Sequence, residues 1–324
     1  MFQWILFDLS MTSAAAKTTA QTTAQSAARK TFLTGLAIAI GGAILFSAKA
    51  IVAKLIYRHQ VDAVTLIAFR MMFSLPFFLA VALWQMRAHT PLSRTERVRI
   101  VLLGLIGYYV SSFLDFLGLQ YITAGLERLI LFLTPSFVLL ISILFLNKKI
   151  SRLEWMALAT SYFGMVLVFI HDARIGGANV LLGGAFVLGS AVTYAMYLLA
   201  SGEMVRRVGA MRLVSYAMCV SSAACIAQFI LLRPIGMLIQ PMPVYGLSIF
   251  NAVFCTVLPV FMTMIAVARI GAGTASQAGM IGPVSTLFLG AVVLNEPITG
   301  IQLTGTALVL TGIYLLSRKK IGVG

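Results

Sequence analysis

The sequence predicts an all-α integral membrane protein whose ten transmembrane helices form two inverted five-helix repeats. Three observations carry this prediction. The 324 residues are 60% hydrophobic and 10% charged, with a mean hydropathy of +0.99, which lies outside the range of soluble globular domains. The basic residues between the apolar segments alternate between a rich and a poor side of the membrane. The two halves of the chain also share residues at one constant offset.

The chain begins with a segment that does not match a membrane helix. Residues 1–9 are apolar but too short to span a bilayer, and they lack the basic front and the cleavage site of a signal peptide. Residues 11–28 are rich in Ala, Thr, Gln and Ser. We therefore predict that residues 1–30 form a disordered cytoplasmic tail.

Apolar segments long enough to cross a hydrocarbon core of about 30 Å follow at regular intervals. They divide into a first five-helix repeat, residues 31–170, and a second, residues 178–318. The predicted spans are 31–57, 63–86, 98–119, 121–146, 152–170, 178–200, 212–232, 243–267, 271–294 and 299–316.

The distribution of basic residues supports this number of spans. With ten spans, seventeen Lys and Arg residues fall on one side of the membrane and three, Arg58, Arg174 and Arg233, on the other. Because cytoplasmic loops carry the excess of basic residues, both termini are predicted to be cytoplasmic. The formal net charge of +15 therefore reports topology, and no nucleic-acid partner is predicted.

An internal repeat relates the two halves at an offset of 148 residues. The shared residues include Pro, Asn and Gly, which match by chance less readily than Leu and Ala. Ala124, Gly125, Pro135, Leu146, Asn147, Ile150 and Gly164 fall on Ala272, Gly273, Pro283, Leu294, Asn295, Ile298 and Gly312. Since each repeat holds an odd number of spans, the second enters the membrane upside down. This is the plan of secondary transporters, whose site lies between the repeats near the bilayer midplane.

Four stretches carry a resemblance to a known family: residues 66–70 (LIAFR), 119–128 (LQYITAGLER), 146–150 (LNKKI) and 294–298 (LNEPI). Together with the layout of five plus five spans, they resemble the EamA family of the drug/metabolite transporter superfamily over about residues 31–318. The resemblance implies a carrier of the bacterial inner membrane that exports amino acids or related metabolites. It also implies a cavity lined by the first, third, fourth, sixth, eighth and ninth spans.

The chain departs from this family at one position. The family often has Glu after the Asn at the helix end. Glu296 matches this pattern in the second repeat, but the first repeat carries Lys148. A role for that acid in both halves is therefore not predicted.

Six ionisable residues lie at membrane depth, all in the first half. Such residues are unfavourable in hydrocarbon, so they indicate a substrate pathway, a binding site or an ion pair. The tight turn between the third and fourth spans places the two acids near the same outward end, and the net charge of the six is +2. They are Lys49, Lys54, Arg70, Asp115, Glu127 and Arg128.

Two interpretations of these charges stay open. In the structural one, Asp115 or Glu127 pairs with Arg128 or Arg70 and locks the helices together. In the functional one, the surplus positive charge, led by Lys49 and Arg128, attracts an anionic group of the substrate. Glu127 or Asp115 then carries the coupling proton, because a carboxyl in a low-dielectric cavity binds a proton more readily than in water.

The second repeat offers uncharged polar groups at the corresponding positions, which predicts an asymmetric site. The predicted substrate-binding residues are Lys49, Arg70, Tyr108, Asp115, Glu127, Arg128, Tyr197, Asn251 and Gln277.

Proline and glycine residues add two structural predictions. Pro135 and Pro283 are repeat mates inside spans and are predicted to bend their helices. In the last span, Gly305 and Gly312 lie on one helix face. They predict close helix packing and a homodimer through this helix.

The sequence thus predicts a secondary transporter that exports a small polar metabolite by alternating access with proton coupling. Two alternatives are a membrane-embedded enzyme using Asp115 and Glu127 as a carboxylate pair, and a lipid-linked-sugar flippase. The sequence has no phosphate-binding loop motif and no metal-ligand spacing, so neither a cofactor nor a metal is predicted. The expected partners are a small-molecule substrate and the lipid bilayer.

Overall fold

The computed structural model describes residues 2–88, 90–146, 151–176 and 178–321. At residues 2–28, 88, 145–146, 175–176, 178, 272–273, 276–277 and 316–321 it describes the backbone alone. Every regular element in the described ranges is helical. Eight helices are long and apolar enough to cross a membrane, and two shorter apolar helices, Ile281–Leu294 and Gly300–Leu315, follow them. The chain is therefore an all-helical, multi-pass membrane protein.

The helices fall on the predicted spans, and we number them along the chain. They are α1 (Phe2–Tyr57), α2 (Ala63–Ala88), α3 (Arg94–Leu119), α4a (Ala124–Leu131), α4b (Thr134–Leu146), α5 (Arg152–Gly176), α6 (Ala178–Val208), α7 (Ala210–Leu232), α8 (Met242–Gly271), α9a (272–278), α9b (Ile281–Leu294) and α10 (Gly300–Ile321). The largest buried apolar cluster joins α1, α2, α3, α7 and α8.

Helix α1 begins at Phe2 and continues through residues 2–30, where the sequence predicts a disordered tail. The structure differs from the prediction here. The segment holds no Pro or Gly before Gly35, and its Ala and Gln residues favour helix more than its Thr and Ser residues do. Nothing in its local sequence therefore ends the helix.

Several helices begin at residues that cap their N-termini. Ser93 Oγ accepts a hydrogen bond from the Glu96 N–H, and Glu96 Oε2 accepts one from the Ser93 N–H, which forms a capping box at α3. Ser151 and Glu154 form the same arrangement at α5. Thr123 Oγ1 accepts from the N–H of Leu126 and caps α4a. These pairs satisfy N–H groups that a helix leaves without partners.

The two halves share their helix interruptions. Residues 105–110 of α3 and 253–257 of α8 form π-helical segments, which lie 148 residues apart. The turn at 132–133 separates α4a from α4b, and the turn at 279–280 separates α9a from α9b. Each turn lies two or three residues before the predicted proline, Pro135 or Pro283. A proline cannot donate to the carbonyl four residues earlier, so the helix opens there.

Polar contacts distinguish two ends of the bundle. At the first, the Asp62 end, Arg233 Nε donates to Asp62 Oδ2 at 3.1 Å. Partial burial raises the pKa of Asp62, but hydrogen bonds from Thr65 and Arg233 outweigh it and hold the pKa below its ordinary value. At the second, the Arg212 end, Arg212 Nη2 donates to the Thr90 carbonyl at 2.8 Å. The two contacts join opposite ends of α2 and α7, which therefore run antiparallel.

Helices α5 and α10, which are repeat mates, also pack antiparallel at close range. A Cβ added at Gly164 would lie 2.7 Å from the Gly305 carbonyl oxygen, and one at Gly312 would lie 2.5 Å from the Ala157 carbonyl oxygen. Residues later in α5 thus contact residues earlier in α10. The predicted close packing of Gly305 and Gly312 is present, and its partner is α5. The homodimer through this helix stays a prediction.

A second pair of glycine contacts is related by the same offset. A Cβ at Gly35 of α1 would lie 2.5 Å from Ile270 Cγ2 of α8. A Cβ at Gly183 of α6 would lie 2.8 Å from Ile122 Cγ2, just after α3. The first contact lies at the Arg212 end and the second at the Asp62 end. Each half of the chain thus makes the equivalent contact with the other half. The two contacts lie at opposite ends of the bundle.

Candidate functional site

Lys49 of α1 contacts two carboxylates. Its Nζ donates a hydrogen bond to Asp115 Oδ2 of α3 and lies 3.2 Å from Glu127 Oε1 of α4a. All three side chains are buried, and Glu127 is 0% exposed. We call these three side chains the ion cluster. The turn at 120–123 joins α3 to α4a, so the two acids lie together as the sequence predicts.

These ion pairs differ from those of the structural interpretation of the sequence. That interpretation predicts that Asp115 or Glu127 pairs with Arg128 or Arg70. Among the residues that the structure describes, neither guanidinium has a carboxylate within ion-pair distance. The reason is the direction of each side chain. Lys49 lies where α1 meets α3 and α4a, whereas the two arginines point towards helices of the second half.

Arg70 of α2 contacts α8. Its Nε donates to Thr256 Oγ1 at 2.8 Å, and Thr256 Oγ1 donates in turn to the Asn251 carbonyl at 3.0 Å. Arg70 Nη1 and both amide atoms of Asn251 are buried without a hydrogen-bond partner among the described residues. Buried polar groups in native proteins are nearly always hydrogen-bonded. These unused donors and acceptor are therefore available to a ligand.

Arg128 of α4a contacts α9b. A Cβ at Gly282 would lie 2.7 Å from Arg128 Nη2, so a side chain there would displace the guanidinium from this position. Arg128 is 6% exposed, and its Nε has no hydrogen-bond partner in the described part of the chain. The side chain of Gln277, also predicted as a site residue, lies outside the described residues.

Two phenylalanine rings separate the three cations. The Phe46 ring centroid lies 4.9 Å from Arg128 Cζ and 5.2 Å from Lys49 Nζ. The Phe116 centroid lies 5.4 Å from Lys49 Nζ and 5.0 Å from Arg70 Cζ. Cations and rings thus alternate, and each ring face attracts the cations beside it. The predicted site omitted both rings, although Phe46 precedes Lys49 by three residues and so lies on the same helix face.

A cluster of tyrosines occupies the corresponding place in the second half. Tyr194 and Tyr197 of α6 are the repeat mates of Phe46 and Lys49. The Tyr108 ring centroid lies 4.9 Å from that of Tyr197, and the two hydroxyls are 3.3 Å apart. No contact between these tyrosines and the ion cluster is among those described. Tyr108 and Tyr197 are therefore brought together with each other rather than with the charges.

The remaining charge, Lys54, makes no direct contact with the ion cluster among those described. It is half-buried and belongs to none of the described ion pairs. A cavity of about 310 Å³ also lies apart from the charges, between α3 and α7. Its lining residues are Tyr109, Ala224, Ala227, Gln228, Leu231 and Leu232.

Glu296 supports the helix that carries two of the site residues. Its Oε1 accepts a hydrogen bond from the Ala124 N–H at 3.3 Å, at the first turn of α4a. A carboxylate at a helix N-terminus is stabilised by the helix dipole. Burial raises the pKa of the Glu296 carboxyl above its ordinary value. The corresponding Lys148 of the first repeat lies outside the described residues.

Known proteins match this chain over nearly its whole length. Residues 33–170 and 181–318 each match the model of the EamA-like transporter family, and the two matches are 148 residues apart. The uncharacterized transporter YcbK of Bacillus subtilis is 29% identical over 289 residues, which cover 87% of this chain and 92% of that protein. An uncharacterized transporter of Archaeoglobus fulgidus is 28% identical over 224 residues, 68% of this chain and 78% of that protein.

A solved structure titled "Crystal structure of protein" has the same fold. Its TM-score is 0.61, and the alignment covers 88% of this chain and 98% of that chain. The sequence identity is 17%, so the likeness concerns the fold alone.

Proposed function

This chain belongs to the EamA-like transporter family, and from that premise we propose that it exports a small polar metabolite with an anionic group. It is a membrane transporter, and the alternative of a membrane-embedded enzyme that uses Asp115 and Glu127 as a carboxylate pair is therefore rejected. The transport cycle is alternating access with proton coupling. The observation that carries the proposal is the ion cluster, in which one ammonium faces two buried carboxylates.

In this proposal ten helices cross the inner membrane as two inverted repeats, with both termini in the cytoplasm. Several observations support it. The family model matches twice at the offset of 148 residues, the π-helical segments recur at that offset, and the two turns lie 147 residues apart. The repeat mates α5 and α10 pack antiparallel, as inversion requires. The excess of basic residues assigns the Arg212 end to the cytoplasm.

The glycine contacts suggest how access alternates. The contact between Gly183 and Ile122 closes the Asp62 end, and the contact between Gly35 and Ile270 closes the Arg212 end. When the repeats rock, one contact separates while the other stays closed. The site is then open to one side of the membrane at a time.

A cross-link between the repeats tests this motion. Ser111 of α3 and Ser190 of α6 have their hydroxyl oxygens 3.0 Å apart. In a variant without the native cysteines, Ser111→Cys combined with Ser190→Cys is expected to lose transport by tenfold or more on oxidation and to recover it with reductant. Flux into proteoliposomes measures this, with each single cysteine variant as a control. Full flux in the oxidised double variant would contradict the rocking motion.

The ion cluster supplies a simple mechanism of proton coupling. Its three ionised side chains have a net charge of −1, because Lys49 compensates one carboxylate only. Both Glu127 oxygens are buried and lack a hydrogen bond among the described residues. A proton on Glu127 leaves the neutral pair of Lys49 and Asp115. Uncompensated charge is unfavourable in a buried site of low dielectric. The positive charge of a bound proton and the negative charge of the substrate therefore compensate each other.

Glu127→Gln is expected to abolish the pH dependence of flux and to reduce the rate by at least about tenfold, or about 1.4 kcal/mol. The amide has nearly the same shape but binds no proton in this range. Flux at several pH values between about 5 and 8 measures the effect. Glu203→Gln, at an exposed residue, is the matched control. Loss of pH dependence in Asp115→Asn alone would assign the proton to Asp115, and its persistence in both variants would make the cluster structural.

A further inference from the structure

Arg70 and Arg128 carry an inference about the substrate. We infer that the substrate has two anionic groups, one bound by each guanidinium. The inference rests on the proposed transport function and names its substrate class. Dicarboxylates are the simplest members of that class.

The first step is the placement of the protein's own carboxylates. Asp115 and Glu127 both lie against Lys49, and among the described residues neither forms a direct ion pair with an arginine. A buried cation without a carboxylate is unfavourable unless a ligand or ordered groups compensate it. Among the described residues, Arg70 and Arg128 are the two buried membrane-depth cations in that condition.

The second step is the set of unused donors on Arg70. Its guanidinium is 5% exposed, donates through Nε to Thr256 and leaves Nη1 without a partner. Arg presents a planar fork of donors that matches the two oxygens of a carboxylate. Asn251, linked to Arg70 through Thr256, adds a buried amide without partners. These groups form one anion subsite between α2 and α8.

The third step is the second, separate guanidinium. Arg128 lies over Phe46, whereas Arg70 lies over Phe116, and Lys49 lies between the two rings. Different helices of the second half also face them, α9b at Arg128 and α8 at Arg70. A ligand with one anionic group on Arg70 would therefore leave Arg128 without a direct anionic partner.

Charge balance leads to the same class. The three cations and two carboxylates have a net charge of +1. A proton on one carboxyl makes this +2, which a doubly charged anion neutralises. A single anionic charge neutralises the site only while both carboxyls are ionised. Proton uptake in the proposed cycle therefore favours a substrate with two negative charges.

Matched ligand pairs test the inference. The dicarboxylates from malonate to adipate, each beside its monoamide, are titrated against the purified wild type, with thermal unfolding as the readout. Glutamate and glutamine extend the comparison to zwitterions. At least one diacid is expected to bind about tenfold or more tightly than its amide. In Arg70→Gln and Arg128→Gln this preference is expected to disappear, while Arg70→Lys and Arg128→Lys retain part of it.

The outcomes separate this inference from the proposed function. Wild-type protein that binds every amide as tightly as its diacid overturns the inference, and so does a series in which no diacid binds. Saturable flux of a monoanion or zwitterion in that case leaves the transport function intact. If a diacid binds but no counterflow of it occurs in proteoliposomes, the substrate class stands and the transport proposal fails. The wild-type comparison needs no variant and holds even where a glutamine variant does not fold.

Discussion

Lys49→Met is expected to destabilise the folded protein by about 3–5 kcal/mol, the range for removing one partner of a buried ion pair. Methionine fills nearly the same volume, so the loss is electrostatic. Without the ammonium, Asp115 and Glu127 face each other in a buried site with no cation against them. Thermal unfolding in detergent and the fraction of monodisperse protein measure the effect.

Two further variants make this result specific. Combining Lys49→Met with Asp115→Asn and Glu127→Gln removes the uncompensated charges, so stability is expected to recover. Lys54→Met changes a half-buried lysine of the same helix and is expected to shift stability much less. If Lys49→Met unfolds at the wild-type temperature, the ammonium does not hold the two carboxylates.

Gly164→Leu is expected to destabilise the protein by about 3 kcal/mol or more, at the upper end of the range for overpacking. A Cβ there would lie 2.7 Å from the Gly305 carbonyl oxygen and 3.1 Å from the Val309 backbone nitrogen. Backbone cannot rotate away as a side chain can, so α5 and α10 must separate. The separation removes packing that stabilises helix pairs in membranes. Thermal unfolding of the purified variant measures the loss.

Gly202→Leu is the matched control for this variant. Gly202 also lies inside a long helix, but a Cβ there has nothing within 4 Å. The same substitution is therefore expected to change the unfolding temperature little. Equal unfolding temperatures for the two variants would show that α5 and α10 are not in contact at Gly164.

Much of the fold could be predicted from the sequence because hydropathy acts on each segment separately. An apolar segment about 20 residues long forms a helix in a bilayer whatever its neighbours are. The repeat offset also located the paired prolines and the turns that precede them. Residues 2–30 differ from the prediction because they are helical, and their sequence holds no Pro or Gly that would end a helix.

The pairing of the charges could not be predicted in the same way. Lys49 and Asp115 are 66 residues apart, and Arg70 and Thr256 are 186 apart. Which groups meet depends on the rotation of each helix about its axis and on side-chain direction. Neither the rotation of a helix nor the direction of a side chain can be derived from the sequence alone. The three-residue spacing of Phe46 and Lys49 places both on one helix face. The chain has 21 Phe residues, however, and this spacing alone does not single out Phe46 as a site residue.

The placement of the ion cluster has a consequence for biosynthesis. Lys49, Asp115 and Glu127 all belong to the first repeat, which leaves the ribosome before the second. Lys49 can neutralise one of the two carboxylates, and a proton the other, while half of the polypeptide is still being translated. Arg70 and Arg128 also contact α8 and α9b, and these contacts form only after most of the chain has been translated. A nascent chain arrested after α5 would thus contain all three residues of the ion cluster but would lack the contacts of Arg70 and Arg128 with α8 and α9b.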